Sequence, residues 1–105
     1  MKKYKASDDN VTSKIIAAQN YGLQGDANIQ NGNYEEAVKL FEKAVATSAD
    51  PLTAPYYLKK AGETYEKLGN LDKALQAYES IATDYAGSME ARDIQKYIGN
   101  IQQKM

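Results

Sequence analysis

The sequence predicts an all-α domain, an α–α superhelix built from two helix pairs and a C-terminal capping helix. A pattern recurs every 37 residues: Gly25, Gly62 and Gly99 share one register, and Gly32-Asn33 returns as Gly69-Asn70. Apolar residues recur three or four apart along most of the chain, which is the spacing of one helical face. No stretch alternates with period two, so no sheet is expected. Repetition at such a period is typical of stacked helix pairs.

The first unit, about residues 11–48, begins with a helix predicted from about Val11 to Gln30. Asp8 or Asp9 is its predicted N-cap, because a short acidic side chain can accept hydrogen bonds from free N–H groups there. Small and apolar residues three or four apart form its inward face: Val11, Ile15, Ala18, Gly22 and Gly25.

The two helices of the first unit are joined by a turn at Gly32, which can adopt the left-handed conformation at little cost. Asn33 is predicted to cap the second helix, and Glu36 completes a capping box. The second helix carries a strong apolar stripe: Tyr34, Ala37, Val38, Phe41, Ala44 and Val45.

The second unit, about residues 52–84, repeats this plan with Gly69-Asn70 as its turn. Asp50-Pro51 or Thr53 is predicted to open it, since proline is tolerated in a first helical turn. A capping helix is predicted over about residues 88–103, with Ser88 as its N-cap. The stripes are Leu58, Ala61, Gly62, Tyr65 and Leu68, then Leu71, Ala74, Leu75, Tyr78, Ile81 and Ala82, then Ala91, Ile94, Ile98 and Ile101.

Small residues in the middle of helices indicate where helices cross closely. Gly25 and Gly62 are predicted to face Ala37 and Ala74, because a mid-helix glycine costs about 1 kcal/mol relative to alanine and needs a compensating close approach. The aromatic residues at equivalent positions, Phe41 and Tyr78, are expected to fill the space between units.

The composition excludes several classes of function. Thirteen basic and fourteen acidic residues give a net charge of −1, and they are interspersed. Binding to nucleic acid requires a concentrated basic face, so it is not expected. No apolar run reaches the roughly 20 residues of a membrane span, so this chain is not expected to insert into a membrane.

The sequence carries no readable catalytic site. Histidine and cysteine are both absent, which removes the commonest general base, thiolate nucleophile and transition-metal ligands. The adjacent carboxylates Asp8-Asp9 and Glu35-Glu36 fall in predicted first turns, where they complement the helix dipole. We therefore expect no enzyme activity, no cofactor and no metal.

These residues together resemble the tetratricopeptide repeat family from about Asn20 onward. Three positions depart from its usual pattern, namely Gln24, Asn28 and Ile81, and the spacing exceeds the usual period of about 34 residues. The additional residues lengthen either the second helix or the link from Ala46 to Pro51. The matching positions are Gly25, Gly32-Asn33-Tyr34, Ala37, Phe41 and Ala44, then Gly62, Gly69-Asn70-Leu71, Ala74 and Tyr78.

A narrower likeness concerns the segment after the second unit. Asp84-Tyr85-Ala86-Gly87-Ser88 is similar to the linker of bacterial cell-envelope repeat proteins, with Ala86 in place of their proline, and the stretch from Leu52 to Gly62 resembles the C-terminal repeats of membrane-anchored members. The likeness implies a segment of a larger envelope assembly facing the periplasm. A cytoplasmic location is the alternative.

The resemblance implies a protein or peptide partner held by the first helix of each pair. The family's groove positions map onto Gln19, Gly22, Asp26, Ile29 and Gln30, and onto Tyr56, Lys59, Glu63, Glu66 and Lys67. Tyr56 with Lys59 and Glu63 is the best candidate contact patch. The family's clamp for the C-terminal tails of heat-shock chaperones needs lysine and asparagine where Gly22 and Asp26 stand, so that partner is disfavoured.

A second apolar feature of the first helix predicts a possible homo-oligomer. Ile16 and Leu23 are seven residues apart, beside the inward stripe, so they predict partial exposure or self-association through that edge. The hypothesis of an interaction module therefore stands beside that of a structural spacer without a peptide ligand. A small-ligand carrier or enzyme is a third hypothesis, for which the sequence offers no site.

Overall fold

The computed structural model describes residues 2–105, with side chains from residue 11 onward. In this range the chain forms five α-helices, one short 3-10 helix and no strand. Each α-helix packs against the next one in sequence, so the predicted all-α helical repeat fold is confirmed. The elements are α1 (Lys2–Gln30), α2 (Tyr34–Thr47), α3 (Ala54–Lys67), α4 (Leu71–Asp84), the 3-10 helix (Glu90–Arg92) and α5 (Ile94–Lys104).

The turns inside the two helix pairs have the same geometry. Gly32 and Gly69 have φ values of +80° and +78°, which only glycine adopts without strain. In the first turn, the Asn33 N–H donates to the carbonyl of Asn28 at 2.8 Å and the Gly32 N–H donates to that of Ile29 at 3.0 Å. The corresponding bonds of the second turn measure 2.9 and 3.0 Å. Both turns are therefore Schellman motifs, and the predicted role of the two glycines is confirmed.

Close crossings are present at the mid-helix glycines, but the nearest side-chain atoms belong to aromatic rings and not to Ala37 and Ala74, the predicted neighbours. A Cβ atom built on Gly25 would lie 2.6 Å from Cε1 of Phe41, and one on Gly62 would lie 2.5 Å from Cε1 of Tyr78. Each aromatic ring thus packs directly on a helix backbone. Gly99 has no such neighbour within 4 Å, because no helix follows α5 in the described range. The largest fully buried side chains are those of Tyr78, Phe41, Ile81, Ile94, Ile101 and Pro55.

The predicted start of α1 is wrong. The helix begins at Lys2, so neither Asp8 nor Asp9 occupies its N-cap position, and the side chains of both lie outside the described residues. α1 has 29 residues and α2 only 14, so the N-terminal half of α1 extends past its partner. Val11, predicted to face inward, is consequently 58% exposed.

The predicted capping box at α2 is also wrong. Asn33 precedes α2, but its side chain makes no capping hydrogen bond and instead its Nδ2 donates to Oδ1 of Asn28 at 3.4 Å. The equivalent Asn70 does cap α4, because its Oδ1 accepts from the Lys73 N–H at 3.3 Å. The position of Asn28 in the first unit is taken by Tyr65 in the second, so only Asn33 has an amide side chain of the preceding helix to bond with.

The segment predicted as one capping helix over about residues 88–103 is divided in two. Oγ of Ser88 accepts from the Ala91 N–H at 3.2 Å, but the helix that follows is a short 3-10 helix with Met89 at its N-cap position, so the serine does not cap a continuous α-helix. α5 starts only at Ile94, and its Ile94, Ile98 and Ile101 are buried. Its exposed residues include Gln95, Lys96, Gln102 and Gln103, which give the end of the array a polar outer face.

Candidate protein-binding groove

The first helices of the units, α1 and α3, and the equivalent α5 share one surface, which we call the groove. An ion pair joins α1 to α3, with Lys60 Nζ 2.9 Å from Asp26 Oδ1. Another joins α3 to α5, with Lys104 Nζ 3.4 Å from Glu66 Oε1. Such partly exposed pairs contribute about 0–1 kcal/mol each to stability, so the packing of the helices does not depend on them.

A cleft of about 330 Å³ lies between α1 and α3. Ile29 and the ring of Phe41 supply its apolar lining, and the remaining side chains are polar or charged. Five residues predicted for the groove are brought together in it. Its lining consists of Asp26, Ile29, Gln30, Phe41, Lys60, Glu63, Thr64 and Lys67.

Lys60 occupies the centre of this region and was missed by the sequence analysis, which selected Lys59. Its Nζ lies 5.1 Å from the ring centroid of Tyr56 and 5.8 Å from that of Phe41. Burial lowers the pKa of Lys60, but the hydrogen bond and charge of Asp26 outweigh it and raise that pKa above its ordinary value. The ammonium therefore stays charged. The sequence does contain an indication of this role, because Lys60 is four residues after Tyr56 and residues at that spacing are neighbours on one helix face.

Tyr56 is the most exposed aromatic residue on α3, at 45%. Its ring meets the buried ring of Tyr57 edge to face, with centroids 5.2 Å apart. Tyr57 in turn stacks on Phe41 at 6.5 Å. The exposed ring is therefore held by a buried aromatic pair, which reduces the entropy lost when a partner covers it.

The groove continues onto α5, beyond the units from which its residues were predicted. Lys59 Nζ lies 4.7 Å from the ring centroid of Tyr97, so Lys59 connects α3 to α5. Glu66 accepts a hydrogen bond from the Tyr78 hydroxyl at 2.5 Å, and burial followed by this bond raises the pKa of Tyr78 well above its ordinary range. A cleft of about 430 Å³ here is lined by Glu66, Tyr97, Asn100, Gln103 and Lys104.

Other sequence-predicted residues have different environments. Gln19 is exposed on α1 and lines neither groove cleft. Gly22 is buried beneath the Tyr57 ring, so it serves packing and offers no contact to a partner. Ile16 and Leu23 are 52% and 66% exposed, which agrees with the partial exposure predicted for that edge.

Acidic, basic and hydroxyl side chains line the clefts of the groove. Among the side chains from residue 11 onward, no three acidic residues are arranged to hold a metal ion. Two of its ammonium groups, those of Lys60 and Lys104, pair with carboxylates of a neighbouring helix. None of the described helices combines the length and apolarity needed to cross a membrane.

Stacked antiparallel helix pairs with a shared surface on their first helices define a helical repeat protein of the solenoid class. The profile of the tetratricopeptide repeat family matches residues 28–95, and the chain belongs to this family. Comparisons with curated proteins and with solved structures found no match. Repeats of this family generally mediate protein–protein interactions and are typically non-catalytic.

Proposed function

We propose that this chain is a non-catalytic interaction module whose groove binds a peptide segment of a partner protein. The observation that carries the proposal is the exposed Tyr56, whose ring packs on Tyr57 and lies 5.1 Å from Nζ of Lys60, a residue that lines the cleft between α1 and α3. Tyrosine provides a large contact area and a hydroxyl with little conformational entropy to lose. The order of the charged side chains along the groove also supports peptide binding.

Carboxylate and ammonium groups alternate along the groove. Asp26 and Glu63 lie with Lys60 and Lys67 around the first cleft, and Glu66 lies with Lys104 around the second. A partner with charges in a matching order would exchange these intramolecular pairs for intermolecular ones. Because such exchange nearly conserves electrostatic energy, the groove selects register and partner more than raw affinity.

We further propose that the module is a segment of a larger cell-envelope assembly protein, with the periplasmic side as its compartment and the cytoplasm as the alternative. The support is the sequence likeness of the Asp84 to Ser88 linker and of the Leu52 to Gly62 stretch to membrane-anchored repeat proteins. Sequencing the reading frame upstream of Met1 tests the idea: a hydrophobic span of about 20 residues is the expected result. A frame that encodes only cytoplasmic domains would contradict it.

Replacing Tyr56 by alanine together with Lys59 by glutamate is expected to weaken partner binding at least about tenfold, because the double variant loses an exposed anchor and reverses a charge in the groove. A photo-crosslinking amino acid at position 63 reports on the interaction in cells. We expect a crosslinked partner band that is strongly reduced in the double variant.

The matched control is Lys39→Glu, which reverses an exposed charge on α2 outside the groove. It should leave the crosslinked band unchanged, and circular dichroism should show that both variants are folded. If the double variant retains full crosslinking, or if position 39 crosslinks the same partner as well as position 63, the groove is not the binding surface.

The alternative function is a structural spacer that associates with itself and holds no peptide. The exposure of Ile16 and Leu23 on one edge of α1 supports it. In α3 the positions equivalent to Asn20, Leu23 and Ala27 are Tyr57, Lys60 and Thr64, which pack against the preceding unit. The edge of α1 therefore corresponds to the surface of α3 that is covered by the preceding unit, so another helix could pack on it.

If this edge mediates self-association, Ile16→Glu should convert a dimer to a monomer, because charges would face each other across the interface. Sedimentation velocity over a hundredfold concentration range measures this. Lys14→Glu, a change at an exposed residue on the opposite side of the same helix, is the control. A chain that is monomeric throughout, with unchanged solubility and stability in the Ile16 variant, would sink the spacer hypothesis.

A further inference from the structure

The two links between successive units expose large apolar side chains at equivalent positions. Leu52 and Met89 are separated by the repeat length of 37 residues and are 83% and 76% exposed. The equivalent residue of the first unit, Ile15, is apolar too and is partly buried. Single exposed apolar residues are common on proteins. Here, however, two of them occupy the same position of the repeat in two successive links.

These two side chains border a cleft of about 490 Å³. This volume falls within the usual range for ligand-binding clefts. We call this surface the inter-repeat edge. Its lining consists of Pro51, Leu52, Asp84, Tyr85, Ala86, Gly87, Ser88, Met89 and Glu90.

The polar lining of the inter-repeat edge is acidic. Asp84 and Glu90 both border the cleft, and neither carboxylate lies within 4.0 Å of a basic nitrogen among the described side chains. Asp84 is also the last residue of α4. A negative charge there adds to the negative end of the helix dipole, which is an unfavourable arrangement.

The end of α4, like that of α2, lacks the motif that satisfies the carbonyl groups at the ends of α1 and α3. α1 and α3 end in Schellman motifs at glycine, whereas the C-cap residue of α4 is Tyr85, with φ −132° and ψ 43°, and no basic residue falls in the last turn of α4. A cation brought to this position would therefore gain attraction from both carboxylates and from the helix end.

We propose that the inter-repeat edge docks a basic amphipathic segment of a partner protein, with its apolar side chains on Leu52 and Met89 and its lysine or arginine side chains on Asp84 and Glu90. Charge complementarity selects this occupant over an acidic or purely apolar one. The site is separate from the groove, so one chain could hold two segments at once.

The test is fluorescence anisotropy with two labelled, end-blocked hexapeptides, Lys-Leu-Leu-Lys-Leu-Lys and Glu-Leu-Leu-Glu-Leu-Glu. The basic peptide should bind at least about tenfold more tightly than the acidic one at low salt, and its affinity should fall as sodium chloride is raised, because exposed charges are screened. This comparison requires no variant. Equal binding of the two peptides, or no binding of the basic one at millimolar concentration, would overturn the proposal.

Two variants locate the binding. Leu52→Ser with Met89→Ser should weaken the basic peptide about tenfold, and Asp84→Asn with Glu90→Gln should abolish the salt dependence. These side chains are largely exposed or polar, and circular dichroism checks that the variants are folded. The groove variant Tyr56→Ala with Lys59→Glu should bind the peptide normally. The proposal is wrong if only the groove variant loses binding.

A second copy of this chain is the competing occupant, because Lys2, Lys3 and Lys5 make its own first segment basic. Sedimentation of the chain alone distinguishes the two. A monomer supports a separate partner. A dimer that dissociates in the Leu52→Ser, Met89→Ser variant would assign the inter-repeat edge to self-association and overturn the proposed partner.

Discussion

Replacing Tyr78 by alanine is expected to lower the free energy of unfolding by about 3–5 kcal/mol, the range observed for large-to-small changes in protein cores. Tyr78 has 0% exposure and heads the fully buried side chains by volume. Its ring packs on the backbone at Gly62 and lies 5.3 Å from the ring of Tyr97. It therefore joins α3, α4 and α5, and its loss leaves a cavity where these helices meet.

Urea denaturation followed by circular dichroism measures this change. A domain of this size has about 5–15 kcal/mol of stability in total, so the variant should be marginally folded at 25 °C. Tyr78→Phe separates packing from hydrogen bonding, and we expect a smaller loss of about 1–2 kcal/mol because only the bond to Glu66 is removed. Tyr56→Ala, which truncates a half-exposed ring, should cost about 1 kcal/mol or less. Equal losses for Tyr78→Ala and Tyr56→Ala would contradict the central role of Tyr78.

The same substitution at two equivalent glycines is expected to have opposite effects. Alanine is the better helix former by about 1 kcal/mol, so Gly99→Ala should stabilise the domain by about 0.5–1 kcal/mol, since open space surrounds the position. At Gly62 the added Cβ would lie 2.5 Å from the ring of Tyr78. That ring is buried and held by its bond to Glu66, so it cannot move aside.

Overpacking of this kind typically costs about 1–3 kcal/mol, and we expect Gly62→Ala to be destabilising by about that amount. Thermal and urea denaturation of the two single variants provide the comparison, each serving as the control for the other. If Gly62→Ala is as stabilising as Gly99→Ala, the close crossing between α3 and α4 is not rigid. If both destabilise, the environment of Gly99 is not open.

The repeat and its turns could be read from the sequence because they depend on local physics. A glycine with positive φ is needed wherever a helix ends in a Schellman motif, so Gly32 and Gly69 were informative on their own. The apolar residues of α2 and α4 recur at the helical period, so these two helices could also be predicted directly. Each of these features is decided within a few residues, and the chain repeats each of them, so coincidence was excluded.

Features that depend on competition between neighbours could not be read in this way. Asn33 and Asn70 have the same local sequence role, yet only Asn70 caps its helix, because Asn28 engages the side chain of Asn33. The start of α1 is predicted too late because the sequence before Val11 has no apolar periodicity, which is the signal that sequence analysis uses to place a helix. The break before α5 is not visible in the sequence either, because Ser88 bonds to the Ala91 N–H as a helix cap would, yet only a short 3-10 helix follows.

The groove was predicted only in part. The family register supplied the α1 and α3 residues, five of which line one cleft. It did not supply Lys60, whose role depends on Asp26 of another helix, nor the contribution of α5 through Tyr97 and Lys104. Interactions between helices require the distances between them, which a single sequence does not contain.

The polar outer face of α5 makes the two ends of the array unequal in what can be joined to them. Gln95 and Gln102 occupy the positions at which the preceding unit has Leu58 and Tyr65. A helix added after α5 would therefore contact polar amide groups where α4 contacts apolar or aromatic side chains. Tandem fusions of this domain should therefore be built by adding units before α1, where the exposed side chains of Leu23 and Ile16 provide an apolar surface for packing. Gln95 and Gln102 thus favour extension of the solenoid on the α1 side over extension on the α5 side.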